Sequence, residues 1–202
     1  FAILDDLISK FGSGRKVILV GHSAGGQLAA EYARLRGDVV AGLILVDPAI
    51  LTTGGGPEGI QWFYDIPQIA RLGPILVSSI ATSGDQLIYE SFFDKSVVTD
   101  EVLEGYHRPL KIKGWERAFW NFATASKVNQ LAANLDGITQ PTLLITGSAD
   151  TVVPTADTVR LKSLIVGSAL EVIARAGHLP HEERPTEFMA AIAKNWSLFP
   201  AK

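Results

Sequence analysis

Lys16-Val17-Ile18-Leu19-Val20-Gly21-His22-Ser23-Ala24-Gly25-Gly26 decides how the rest of the chain is read. Residues 16–20 form a short, β-branched run that is apolar on both faces, the pattern of a strand buried inside a parallel sheet. Immediately after it the periodicity becomes helical through residue 36, and Gly37 stands where a glycine often follows a helix end. A Gly-x-Ser-x-Gly string between such a strand and such a helix predicts a tight, strained turn with the serine at its apex. The expectation is that Gly21 and Gly25 are small because a side chain at either place would collide with the adjoining strand or helix. Ser23 then stands at the positive end of the following helix, with the Ala24 N–H placed to donate to a developing oxyanion.

The same grammar extends in both directions. Upstream, Phe1, Leu4, Leu7, Ile8 and Phe11 recur at helical spacing before a Gly12-Ser13-Gly14 break. Downstream, residues 41–46 read as a second buried strand stopped by Asp47-Pro48. The tail predicts a strand over 142–146, a helix over 154–166, a strand over 170–174 and a helix over 186–198. Strands alternating with helices imply an α/β fold, a parallel sheet covered on both faces. Residues 1–50 and 139–202 therefore read as the core, and 51–138 as a mostly helical insertion over one edge of the sheet. Within the insertion, Trp115, Phe119 and Phe122 are spaced as the core stripe of a helix, while Trp62, Phe63 and Trp120 are candidates to line a pocket.

A serine hydroxyl is a poor nucleophile near neutral pH, so it needs a general base and a carboxylate to orient that base. Asp150 lies on the loop after the 142–146 strand, and His178 directly follows the next one. The order serine, acid, histidine is that of a triad assembled at strand ends. Asp47 also follows a buried strand and is an alternative acid, although Asp47-Pro48 reads equally well as a strand-ending turn. His22 should point away from Ser23 and pack in neutral form, His181 should pack behind the site or in its own loop, and His107 should sit on the surface. The histidine spacings do not suggest a metal site, and no cofactor is expected.

Four motifs taken together resemble the cap-bearing α/β-hydrolase family: G-H-S-A-G-G at the turn, L-I-L-V-D-P after the next strand, G-S-A-D-T-V-V-P at the acid and G-H-L-P-H-E-E-R-P around the histidine. The resemblance runs the length of the chain. It implies Ser23 as nucleophile, Asp150 as orienting acid, His178 as general base and a helical cap over the site. The expected activity is hydrolysis of a carboxylic ester or related acyl compound through an acyl-serine. Carbon–carbon bond hydrolysis and cofactor-free perhydrolysis share the same triad, and a non-catalytic ligand-binding member of the fold is a further alternative. Dehalogenases and epoxide hydrolases carry aspartate at this turn, so Ser23 disfavours them.

The resemblance also implies strands ahead of residue 1, together with a loop that supplies a second oxyanion donor. The only methionine is Met189, and Phe1 falls inside a helical pattern. The expectation is a C-terminal part of the fold, whose partner is the missing N-terminal segment, as a separate chain or as part of the same one. Without it, the strand of residues 16–20 would present an unpaired apolar edge. Loss of one oxyanion donor costs on the order of 3 kcal/mol of transition-state stabilisation.

Composition narrows the partners. The 202 residues are 47% hydrophobic and 19% charged, with 18 Lys+Arg against 21 Asp+Glu for a net charge of −3. Scattered basic residues and a slightly acidic balance give no electrostatic reason to expect nucleic acid or an anionic membrane surface. No apolar run approaches the ~20 residues that span a bilayer, and cytoplasmic residence is the default expectation. The absence of cysteine excludes disulfides, thiolate metal sites and cysteine nucleophiles.

Overall fold

The computed structural model describes residues 1–51, 66–78, 84–124 and 131–200. Its centre is a parallel sheet of β1 (Val17–His22), β2 (Val40–Val46), β3 (Thr142–Gly147) and β4 (Ala169–Ile173), in that spatial order. In register, His22 lies beside Val46, Val46 beside Ile145, and Gly147 beside Ile173. All four strands therefore finish along one rim. Open parallel sheets place their ligands at the carboxyl ends of strands, and this rim is such an end.

Pleating divides the strand residues between two cores. Leu43, Leu45 and Leu144 face one side with Ala29, Tyr32, Leu161 and Ile165; Ile44, Val46, Leu143 and Ile145 face the other with Phe188, Ala191 and Phe199. Burial on both faces accounts for the unbroken apolar runs in β2 and β3. The first face is covered by α1 (Ala2–Phe11), α2 (Ala24–Leu35) and α7 (Thr155–Leu164), and the second by α9 (Pro185–Lys194).

The helix after the turn buries its small residues rather than its leucines. Leu28 is 49% exposed and Leu35 46%, whereas Ala29, Ala30, Tyr32 and Ala33 are buried. Alanines allow α2 to approach the sheet closely, and Tyr32 extends from that face to donate its hydroxyl to Asp5 Oδ1 at 2.7 Å. In α1 only Leu4 and Ile8 reach the core; Leu7 and Phe11 are exposed.

Between β2 and β3 the described residues are helical: α3 (Pro67–Val77), α4 (Asp85–Ser91), α5 (Asp100–His107) and α6 (Trp115–Thr124), joined by short 3₁₀ turns. On α6 the stripe expected from spacing is not the buried one, since Phe122 is 63% exposed and Phe119 is also exposed. Trp120 makes the helix contact instead, its indole lying directly over Gly73 of α3 where any Cβ would collide with it. Trp62 and Phe63 lie outside the described residues.

Among the described residues β1 lies at one edge of the sheet, with Val20 63% exposed. Beside it runs a groove of about 1,090 Å³, lined by Phe11, Val17, Ile18, Trp196 and Phe199 among others.

Candidate active site

Ser23 sits between the end of β1 and the start of α2 with φ 53° and ψ −123°, a left-handed conformation that non-glycine residues avoid. Strain of this kind costs on the order of 1–3 kcal/mol and persists only where the surroundings over-determine it. Here the Ser23 N–H donates to Val46 O at 2.9 Å, and Ser23 O accepts from Gly26 N at 2.9 Å and Ala49 N at 3.0 Å. The close packing differs in part from expectation. A Cβ on Gly21 would strike the Gly25 carbonyl and lie 2.8 Å from Gly26 Cα, but one on Gly25 would meet nothing within 4 Å. The second tight position is Gly26, where a Cβ would come within 2.7 Å of Pro48 Cβ. Gly26 is thus the glycine that lets α2 pass beside the turn after β2. Ala24 begins α2, so its N–H precedes the first intrahelical bond.

Asp150 and His178 meet as the spacing predicted. The His178 Nδ1–H donates to Asp150 Oδ2 at 2.8 Å, with both residues buried. Asp150 Oδ1 accepts from Val152 N at 2.8 Å and Val153 N at 3.0 Å, which fixes the carboxylate plane. Burial alone would raise the Asp150 carboxyl, but the hydrogen bond and charge of His178, then the Val153 N–H and Asp47, outweigh it and hold the group below its ordinary range. With Nδ1 carrying the proton, Nε2 is the accepting nitrogen of His178.

The backbone under His178 is held from two sides. The His178 N–H donates to Ser91 O at 2.8 Å, at the end of α4. Glu183, in α8 (Pro180–Glu183), accepts from Gly177 N at 2.6 Å on one oxygen and from Phe93 N at 2.8 Å and Asp94 N at 3.2 Å on the other. Leu179 is buried with Phe92 and Val98, against Ile88, Tyr89 and Tyr106. The loop that carries His178 is therefore clasped by the helices between β2 and β3. In sequence Glu183 is one of four polar residues in a row, His181-Glu182-Glu183-Arg184, and only its reach across to residues 93 and 94 reveals this role.

His22 joins the turn to this loop. Its Nε2–H donates to the His178 carbonyl at 2.8 Å, and its ring lies 4.6 Å from that of His178 and 4.9 Å from that of His181. Burial pushes the His22 imidazole down to about 4, overriding the raising influence of the His178 carbonyl, so it is neutral at ordinary pH. His181 is likewise lowered, chiefly by burial, and packs between His22 and Phe188. His107 is half-buried, with Nε2 2.6 Å from Asp85 Oδ1.

Asp47, the alternative acid, ends β2 with φ 43° and is fully buried. Its Oδ1 accepts from Thr146 Oγ1 at 2.7 Å and Gly147 N at 3.1 Å, rather than from a histidine. His22, Asp47 and His178 each bring one nitrogen or oxygen within 4.8 Å of the others, a spacing near that of a metal site. Nε2 of His22, Oδ1 of Asp47 and Nδ1 of His178 are engaged with the His178 carbonyl, with Thr146 and Gly147, and with Asp150 respectively.

Comparisons with known proteins agree with this geometry. A family model described as "Alpha/beta hydrolase family" matches residues 2–192. The 2-hydroxy-6-oxo-2,4-heptadienoate hydrolase of Pseudomonas putida is 28% identical over 188 residues, covering 88% of this chain and 62% of that protein. Human monoacylglycerol lipase ABHD6 is 26% identical over 170 residues, covering 83% of this chain and 50% of that protein. Among solved structures, a thermophilic esterase from Thermogutta terrifontis superposes with a TM-score of 0.72 at 22% identity, covering 98% of this chain and 71% of that one. The chain spans about half to three-fifths the length of these curated relatives. The strained serine turn, the histidine–aspartate pair on the same rim and the match over nearly every residue give one conclusion: the chain belongs to the alpha/beta hydrolase family.

Proposed function

We propose that the chain carries the catalytic residues of a serine hydrolase acting on a carboxylic ester or related acyl compound. The observation that supports this most directly is the 2.8 Å bond from His178 Nδ1–H to a buried Asp150 carboxylate, on the rim where Ser23 is held at φ 53°. In this reading Ser23 Oγ attacks the carbonyl carbon as His178 Nε2 takes its proton, and the carbonyl π pair moves to oxygen as an oxyanion near the Ala24 N–H. Collapse of that intermediate expels the alcohol, which receives the proton from His178. Water then attacks the acyl-serine with His178 again as base, releasing the acid and restoring Ser23. Asp150 keeps the imidazole in the Nδ1–H tautomer and stabilises its cation.

The helices between β2 and β3 act as the cap in this reading, and Trp62, Phe63 and Trp120 remain the proposed pocket residues. Trp120 contributes through the α3–α6 contact described above. The second oxyanion donor comes from a segment ahead of residue 1, whose strands pair with the free edge of β1. The exposure of Val20 and the groove beside Val17 and Ile18 support that partner. The P. putida relative supports carbon–carbon bond hydrolysis on the same triad as the second reading.

A fluorophosphonate probe on the intact protein tests the shared chemistry. Labelling of the wild type that disappears in Ser23→Ala and falls at least a hundredfold in His178→Ala is expected. Equal labelling of wild type and Ser23→Ala overturns the assignment. Acyl esters of graded length, set beside a vinylogous diketone, then separate ester from carbon–carbon cleavage.

A further inference from the structure

Asp47 is a buried acid that the mechanism above leaves unused. It follows the last residue of β2 and lies among His22 from β1, Thr146 and Gly147 from β3, Asp150 from the following loop and His178 from the loop after β4, while His181 of α8 packs on the ring of His22. Its hydrogen bonds are one-sided: both donors, Thr146 Oγ1 and Gly147 N, reach Oδ1, while Oδ2 is buried and receives none. The neighbouring Asp150 is the opposite case, with Val152 N, Val153 N and His178 Nδ1 all donating to it as an anion. The two carboxyls are hydrogen-bonding neighbours. Among the described residues no lysine or arginine pairs with either of them, and the nearby His22 is tied to the His178 carbonyl. Two ionised carboxylates in contact, inside the protein and without a cation, repel strongly, so one of them keeps a proton. The donors already gathered on Asp150 assign the charge to it and the proton to Asp47.

We infer that Asp47 is a positioning residue of the same site: a carboxylic acid whose Oδ2–H donates to the Asp150 carboxylate, fixing that carboxylate beneath His178 from the side the backbone donors do not reach. The inference rests on the acyl-hydrolase reading only for its effect on rate; the protonation state stands apart from it. A neutral donor at this place holds Asp150 in its anionic, histidine-facing form without adding a second charge. Burial, opposed by Thr146 and reinforced by the Asp150 charge, pushes the Asp47 carboxyl up to about 9, which leaves the O–H intact across the neutral range. Above that value a second anion forms under the pair, and Asp150 is pushed away from its place against His178.

Infrared difference spectroscopy of the intact protein reads the proton directly. At pH 7 the wild type is expected to show a protonated-carboxyl C=O band that shifts in D₂O, disappears near pH 9 and is missing from Asp47→Asn. Absence of that band in the wild type at pH 7 overturns the inference, whatever the fate of the acyl-hydrolase reading. The pH dependence of fluorophosphonate labelling gives the functional readout: an alkaline fall near pH 9 in the wild type, moved or abolished in Asp47→Asn because the amide N–H still donates and cannot ionise. An unchanged alkaline limb in that variant refutes the positioning role. Should Asp47→Asn fail to fold, Thr146→Val serves instead; losing one bond to the ionised form, it must move the loss of the band to higher pH, and no movement counts against the assignment.

Discussion

Alanine at Gly21 and alanine at Gly25 should change stability in opposite directions, although both glycines belong to the same Gly-x-Ser-x-Gly string. At Gly21 the added methyl would strike the Gly25 carbonyl and lie 2.8 Å from Gly26 Cα, where ordinary contact begins near 3.4 Å. Backbone cannot swing aside as a side chain can, so the first turn of α2 has to retreat. Overpacking of this sort costs about 1–3 kcal/mol. At Gly25 a methyl meets nothing within 4 Å, and the residue lies inside α2 at an ordinary helical φ. Alanine there lowers the entropy of the unfolded chain and should gain about 0.5–1 kcal/mol. The two variants should therefore differ by about 1.5–4 kcal/mol. With a urea slope of about 2 kcal/mol per molar for a protein of this size, their midpoints should lie roughly 1–2 M apart. Urea unfolding followed by tryptophan fluorescence measures this directly. Equal destabilisation by the two alanines would refute the argument that close approach to α2, rather than the motif as such, fixes the first glycine.

Two further outcomes follow from the geometry. Glu183→Gln leaves one amide N–H facing either Gly177 N–H or the Phe93 and Asp94 N–H groups, at a cost of about 1–2 kcal/mol; hydrogen exchange should accelerate at those amides, and unchanged protection there would contradict the clasp. For His22 the folded value is about 4 against 6.5 unfolded, so the unfolded state binds the extra proton between those values and stability falls as pH drops through that window. His22→Gln keeps a donor for the His178 carbonyl without titrating, and its stability relative to wild type should rise by about 2 kcal/mol from pH 7 to pH 4.5; a constant difference in denaturation free energy would show that burial does not lower the His22 imidazole.

Much of the fold was legible because the sequence signal and the physical constraint coincide. A strand buried on both faces must be apolar throughout, and residues 16–20, 41–46 and 142–146 are close to that, so their elements appear where expected within a residue or two. The Asp150–His178 pair was legible for the same reason, since strand ends on one rim bring distant residues together. Helix faces were harder. Leu28 and Leu35 fit a core stripe as well as Ala29 and Ala33 do, and the short distance from α2 to the sheet, which favours alanine, is not written in any local pattern. Phe119 and Phe122 fail likewise, because Gly73 on another helix selects Trp120 as the packing residue. Asp47 and Glu183 were hidden more deeply. An acid after a strand or in a polar run looks the same whether it faces water or three backbone donors, and only the tertiary structure separates the two.

The grip of residues 91–94 on the loop around His178 bears on how such a protein can change its guests. The segment inserted between β2 and β3 cannot be exchanged as an independent module, because the carbonyl of Ser91 and the amides of Phe93 and Asp94 also fix the loop that carries His178. A chimera that imports a foreign insertion should keep this short splice from the recipient. Graft junctions drawn at the visible strand ends would alter selectivity and turnover together, while junctions that leave residues 91–94 intact would let selectivity vary alone.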